Sequence, residues 1–264
     1  MWRTTEFRQR EELNPDYWEQ GFFHTEFGGG TMYKRDFDEL KLRDLSVFTL
    51  GEIKDKVILD MGCGSGLYSL IFLRLGAKAV CGHDILESAI SLTAEKCQNL
   101  GFSNFTGAVG DCTELGYEDD KFDLVFSGDL FEHITNQQKE KFINQAYRVL
   151  KPGGLFTIKT PNKSYLILTN ILHRIKAIIR LQNPFMIHIA HTRDNPDNEH
   201  HGLTTHKELA MIFDGTMFHP PVIKKTDFNR GLPMWLSRIL GRFCIFNSQI
   251  ILTVRKPIFY GVYK

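Results

Sequence analysis

A chain of 264 residues that is 42% hydrophobic and 24% charged can enclose one sizeable core, and its 32 Lys and Arg against 31 Asp and Glu leave a formal charge of +1. That balance excludes a global field drawing the protein to nucleic acid or to a strongly anionic surface. Its five cysteines, Cys63, Cys81, Cys97, Cys112 and Cys244, are widely spaced with no CxxC pair, which argues against a disulfide framework and a zinc site and fits a reducing cytoplasm.

Residues 1–50 alternate charge with aromatics, carry no secretion-signal pattern, and are expected to form a helical extension or cap. From Val57 to Thr160, short β-branched runs alternate with longer helical patterns: KVILDM, LYSLIFLRLG, AVCGHD, ESAISLTAEKCQNLG, FTGAVGD, FDLVFSG, DLFEHITNQQKEKFINQAYRVL and GLFTIKT. This alternation predicts an α/β, doubly wound core at 51–162, its parallel sheet covered on both faces. Gly76 and Gly101 stand where helices end, Lys151-Pro152-Gly153-Gly154 reads as a hard turn, and one helix is expected to open at Asp129.

Residues 163–264 are assigned to a lid insertion, substrate recognition and the last strands of the same sheet. They hold a basic amphipathic segment at 166–182, a loop with His188, His191, His200 and His201, a helix THKELAMIFDG, an apolar stretch GLPMWLSRILGRF and a strand SQIILTVRK. Thr205 opens a capping box, which gives His206 a local job. Asn170, His173, Arg174, Lys176 and Arg180 interrupt the longest apolar segment too often for a membrane span. At helical pitch Leu168, Ile171, Leu172, Ile175, Ile178 and Ile179 fall in one stripe of about 120°. A lid packing that stripe on the core is the favoured reading; a helix in a membrane interface, giving peripheral membrane contact through 166–182, is the alternative.

The stretch Asp60-Met61-Gly62-Cys63-Gly64-Ser65-Gly66 lies at the first strand-to-helix turn, which in an open α/β sheet comes closest to the ligand. Glycines let the backbone bend tightly and let a ligand touch the main chain. Leu67 stands where the dinucleotide fingerprint wants its third glycine. A carboxylate at Asp60 is awkward beside a pyrophosphate and favourable beside a cationic ligand.

LDMGCGSG resembles the first motif of class I S-adenosylmethionine-dependent methyltransferases, and further motifs follow in that family's order. AVCGHD ends in Asp84, VGDCTEL holds Asp111, FDLVFSGDLFEHI matches the fourth strand and its exit, and LKPGGLFTIKTPN matches the turn into the fifth. The resemblance covers residues 55–162 and implies a seven-stranded, mostly parallel sheet with S-adenosyl-L-methionine as cofactor. It implies a cofactor-binding set of Asp60, Gly62, Cys63, Gly64, Gly66, Asp84, Ile85, Asp111, Cys112 and Ser127, with Asp84 on the ribose hydroxyls and Asp111 near the adenine amino group.

Catalytic candidates are Asp129, Glu132 and His133, which on a helix would share one face. With an unperturbed pKa of about 6.5, His133 suits a general base taking a proton from an acceptor hydroxyl. DLFEHI is similar to the acidic-x-x-Glu-His run of ubiquinone-pathway O-methyltransferases, some of which use a metal ion, with Asp129 where they carry glutamate. A divalent metal on these three side chains is therefore an open alternative, with no residue assigned as a ligand. The expected acceptor is a small molecule, methylated on a hydroxyl of a lipidic, aromatic or sugar-like compound, and nucleic acid is not favoured. An RNA or protein methyltransferase, a nicotinamide-dependent oxidoreductase and a non-catalytic cofactor-binding partner remain as rivals.

Overall fold

The run VILDM becomes β1 (Val57–Met61), buried from Ile58 onward as a strand covered on both faces must be. The computed structural model describes Leu45, residues 48–186 and 202–225, Phe243 and residues 247–258. After β1 come α1 (Leu67–Arg74), β2 (Ala79–Asp84), α2 (Glu87–Asn99) and β3 (Phe105–Val109). The chain then returns past β1 to form β4 (Phe122–Gly128), α3 (Asn136–Val149), β5 (Leu150–Pro161) and α4 (Lys163–Ile179). Last come α5 (His206–Phe213), β6 (Val222–Lys225) and β7 (Gln249–Arg255).

The seven-stranded sheet runs β3-β2-β1-β4-β5-β7-β6, parallel except for β7, which is antiparallel to both neighbours. This is the doubly wound, mostly parallel sheet expected. Its order reverses between β1 and β4, and that switch opens a crevice beyond the carboxyl ends of the strands where ligands bind.

Two cores hold the layers. On one face Phe72 of α1 meets Phe126 of β4 edge-on, with Ile58, Val80 and Leu124 beneath them. On the other, Phe142 of α3 packs on Phe131 and Phe156, and Phe213 and Phe218 close the same cluster. Each aromatic pair adds directional contact to the area it buries. Gly76 and Gly101 both take positive φ just past their helices, as expected of C-terminal glycines.

Three details differ from the sequence reading. The helix after β4 opens at Asn136 rather than Asp129, because Thr135 and Gln138 form a reciprocal capping box: Gln138 N–H donates to Thr135 Oγ1 and Thr135 N–H to Gln138 Oε1. The KPGG segment lies inside β5, where the register against β4 shifts and Gly153 takes a φ of 79°. Sequence alone did not single out β6, since four residues offer too short an alternation to separate strand from loop.

The stripe on α4 corrects a further expectation. It does not pack on the core: Ile171, Leu172, Ile175, Ile178 and Ile179 are 47–76% exposed. The face turned inward carries Tyr165, Thr169, Asn170 and Ala177 instead, so small and polar side chains make the contact. Most of the expected N-terminal cap at 1–50, the His188–His201 loop and most of GLPMWLSRILGRF fall outside the described residues. No helix among the described residues is long and apolar enough to cross a membrane.

Candidate active site

The glycine turn is pinned from below. Gly62 and Cys63 N–H groups both donate to the His83 carbonyl of β2, at 2.7 and 3.2 Å. Gly62, Gly64 and Gly66 all take positive φ. A Cβ on Gly66 would fall 2.4 Å from Thr93 Cγ2 of α2, whereas one on Gly64 would meet none of the described residues within 4 Å. Gly66 is thus glycine for packing as well as conformation, while Gly64 faces open space. No side chain caps α1 at Gly66.

Three carboxylates surround this turn. Asp60, 1% exposed, accepts from Ser69 Oγ at 2.6 Å through Oδ2, and its Oδ1 has no partner among the described residues. Burial pushes its carboxyl up to about 7, with the nearby charge of Asp84 adding to the effect. Asp84 accepts from Gly64 N–H at 2.8 Å and from Leu86 N–H at 3.1 Å; burial raises its pKa against those bonds and one from Ile85. Asp111 accepts from Thr113 N–H at 2.7 Å, an Asx turn. The buried Cys112 thiol feels Asp84, Asp111 and Asp60 together, so the three acids converge around it, and its own pKa is raised chiefly by burial.

The structure therefore brings Asp60, Gly62, Cys63, Gly64, Asp84, Asp111 and Cys112 close together around the glycine turn, with two adjustments to the sequence reading. Asp60 lies beneath the turn rather than on its surface, because its strand is buried on both faces. Ser127 is wholly buried, its hydroxyl unpartnered among the described residues, so the side chain belongs to the interior behind β4.

Across the crevice, Asp129 has a φ of 59° and opens a turn rather than a helix, so Asp129, Glu132 and His133 do not share a helical face. Lys159 Nζ donates to both Asp129 oxygens, at 2.7 and 2.6 Å. Glu132, 1% exposed, accepts from Thr160 Oγ1 at 2.9 Å, and burial followed by the Asp129 charge pushes its carboxyl up to about 8. His133 is 5% exposed, with Nε2 4.0 Å from Glu132 Oε1, a near approach longer than a hydrogen bond. Among the described residues no group of three His, Cys, Asp or Glu side chains could hold a metal ion.

Sequence reasoning missed Lys159, Thr160 and Lys139. Buried Lys139 donates to the Gly202 carbonyl at 2.6 Å, and Gly202 N–H donates to the Glu132 carbonyl at 2.7 Å, tying the start of the 202–225 segment to the acceptor turn. Lys159 did leave a signal: a charged residue inside GLFTIKT, a strand buried on both faces, needs a partner.

The model of a family described as a methyltransferase domain matches residues 53–214, more than half of the chain. The chain belongs to that family. Its methyltransferase domain is similar to a ubiquinone biosynthesis O-methyltransferase of Bartonella bacilliformis, 30% identical over 123 residues that cover 46% of this chain and 48% of the relative. It is also similar to the sterol 4-C-methyltransferase strm-1 of Caenorhabditis elegans, 35% identical over 101 residues, 38% of this chain and 29% of that one. The chain thus spans less than half the length of these curated relatives. The solved PH0226 protein of Pyrococcus horikoshii OT3 shares the fold, with a TM-score of 0.61 and 19% identity over 93% of this chain and all of that one. Relatives named for methylating oxygen and carbon share the domain, so the family does not choose the acceptor atom.

Proposed function

We propose that this protein binds S-adenosylmethionine at the glycine turn and transfers its methyl group to a hydroxyl oxygen of a small lipidic or aromatic acceptor. One observation carries the cofactor reading: among the described residues Asp60 Oδ1 is buried with no partner, at the base of a turn whose Gly64 has nothing against it. A positively charged ligand resting on bare backbone satisfies both. The bound cofactor would supply a methyl group on a cationic sulfur. Asp84 offers two acceptor oxygens to a vicinal diol, Ile85 lies beside it, and Asp111 with the Cys112 backbone faces an amino group.

On the acceptor side, His133 takes the hydroxyl proton, with Glu132 Oε1 4.0 Å from its Nε2. The chain's remaining task is to hold the acceptor oxygen in line with the methyl carbon and keep water out. Oxygen is favoured because a buried His and Glu beside the crevice supply the proton removal that a hydroxyl needs. The four described cysteines are free thiols, which supports work in a reducing compartment. Titration calorimetry with S-adenosylmethionine and with a nicotinamide dinucleotide tests the cofactor; binding of the second and not the first ends this reading. S-adenosylhomocysteine release over a panel of phenols and hydroxylated lipids tests the acceptor.

A second observation bears on the acceptor and its source. With Ile167 included, the outward stripe of α4 spans about 140° of the helix, with Arg174 at one edge and Lys176 just beyond the other. Residues 141–193 contain no Asp or Glu, so this face is locally basic although the chain is balanced overall. We propose that α4 rests on an anionic lipid surface, from which a lipidic acceptor would be drawn. Sedimentation with phosphatidylglycerol vesicles should carry the protein down, and Ile175→Glu with Ile179→Glu should release it. Equal sedimentation of both proteins, or of neither, ends the proposal.

A further inference from the structure

We propose that Lys159 is the resident cation of the acceptor side, a positioning residue whose ammonium fixes Asp129 and takes the charge role that a divalent metal ion would fill there. The inference rests on the methyltransferase reading only for calling this the acceptor side. Gly128 of β4 pairs in register with Lys159 of β5, so Asp129 leaves β4 directly beside it. Three hydrogen bonds then join the same two residues: Asp129 N–H to the Lys159 carbonyl at 2.9 Å, and Lys159 Nζ to each Asp129 oxygen. The lysine side chain is 5% exposed and that of the aspartate 36%, so the ammonium is inside while the carboxylate reaches the opening. Such a pair is held far more firmly than an ion pair at the surface. Asp129 takes the left-handed backbone conformation, which aspartate tolerates better than most non-glycine residues.

Successive residues of a strand project to opposite faces. Lys159 accordingly turns toward Tyr68 of α1, its Nζ 6.0 Å from the ring centroid, while Thr160 turns the other way and donates to Glu132. Two adjacent residues of β5 thus hold both acids of the turn, one with charge and one with a hydroxyl. Among the described residues, the charged and titratable groups around Glu132 are Asp129 and His133 from its own turn, Lys159 from β5 and Lys139 from α3. An Asp129 charge beside Glu132, beyond the carboxyl end of β4, disfavours ionisation of the second acid, and a cation between strand and turn relieves that repulsion. A compact ammonium already bonded to both Asp129 oxygens supplies it, and an incoming metal ion would have to displace that ammonium.

The test uses the whole protein, labelled with carboxyl ¹³C glutamate, and follows the Glu132 resonance through a pH titration. Lys159→Met should move its midpoint up by roughly one unit, and Asp129→Asn should move it down, because the two charges act on Glu132 with opposite sign. Lys159→Arg should stay close to wild type. Adding Mg²⁺ to the wild type should leave the resonance unmoved. An unmoved midpoint in Lys159→Met, shifts of the same sign in the two variants, or a Mg²⁺-dependent shift in the wild type would each overturn the proposal. Should Lys159→Met fail to fold, Asp129→Asn and the Mg²⁺ addition decide alone. Calorimetry with S-adenosylmethionine on the same wild-type sample judges the cofactor reading separately, so the two can fail independently.

Discussion

The two sides of the crevice hold their acids by different means. On the cofactor side the donors are mostly backbone and mostly near in sequence: Leu86 N–H for Asp84 and Thr113 N–H for Asp111, each two residues away, with Gly64 N–H reaching Asp84 from the turn. On the acceptor side the donors are side chains from another strand, Lys159 for Asp129 and Thr160 for Glu132, 30 and 28 residues distant. Backbone donors survive almost any substitution that keeps the turn. Side-chain donors vanish with one mutation and leave a buried acid uncompensated. The difference teaches that the acids near the glycine turn depend on local backbone geometry, whereas Asp129 and Glu132 depend on two side chains of β5.

The largest expected effect lies on the acceptor side. His133→Ala should slow turnover by about 10²- to 10⁴-fold with calorimetric cofactor affinity unchanged. A parallel loss of cofactor binding would break the division between the two sides. Next comes Asp84→Ala, expected to weaken cofactor binding by about 1–3 kcal/mol through loss of charged hydrogen bonds, measured by the same calorimetry. Gly66→Ala should cost about 1–3 kcal/mol of folding stability through its φ of 78° and the contact with Thr93. Pairing it with Thr93→Ser, which deletes the methyl carbon nearest the new Cβ, should recover part of that loss in a denaturation midpoint.

A pH series sharpens the comparison because buried acids on both sides are raised on folding, Asp60 and Asp84 on one and Glu132 on the other. Asp60 sits at about 7 against an ordinary 3.8, and Glu132 at about 8 against 4.5. An acid raised on folding favours the native state while protonated. Its contribution is therefore full below the unfolded pKa and is lost as pH rises through the folded one. Urea midpoints should accordingly fall between about pH 5 and pH 8, and Asp60→Asn and Glu132→Gln should each flatten the slope. The smallest effect is expected outside both regions. Lys151 pairs with Asp123 at 2.9 Å but is 40% exposed, so Lys151→Ala should cost less than about 1 kcal/mol.

Legibility follows the same division. Asp84 and Asp111 were readable because each stands at the end of a short strand pattern and is held by groups a few residues away. Asp129 was readable as an acid and misread in its setting, since its position hangs on Thr135 and Gln138 opening the helix later than the apolar period suggests. The α4 stripe was legible as a stripe and not in its direction. Periodicity says which residues share a face, and only packing says whether that face turns to the core or away from it.

By itself the sequence determined the alternation of strands and helices, the glycine turn behind Asp60 and the acids at the strand tips, because periodicity, glycine conformation and nearest-neighbour hydrogen bonds are local properties of a chain. Only the tertiary structure decided that Lys159 answers Asp129, that Thr160 answers Glu132 and that α4 turns its isoleucines outward. Those outcomes depend on strand register and on layers meeting across the fold, and no short window of residues contains them.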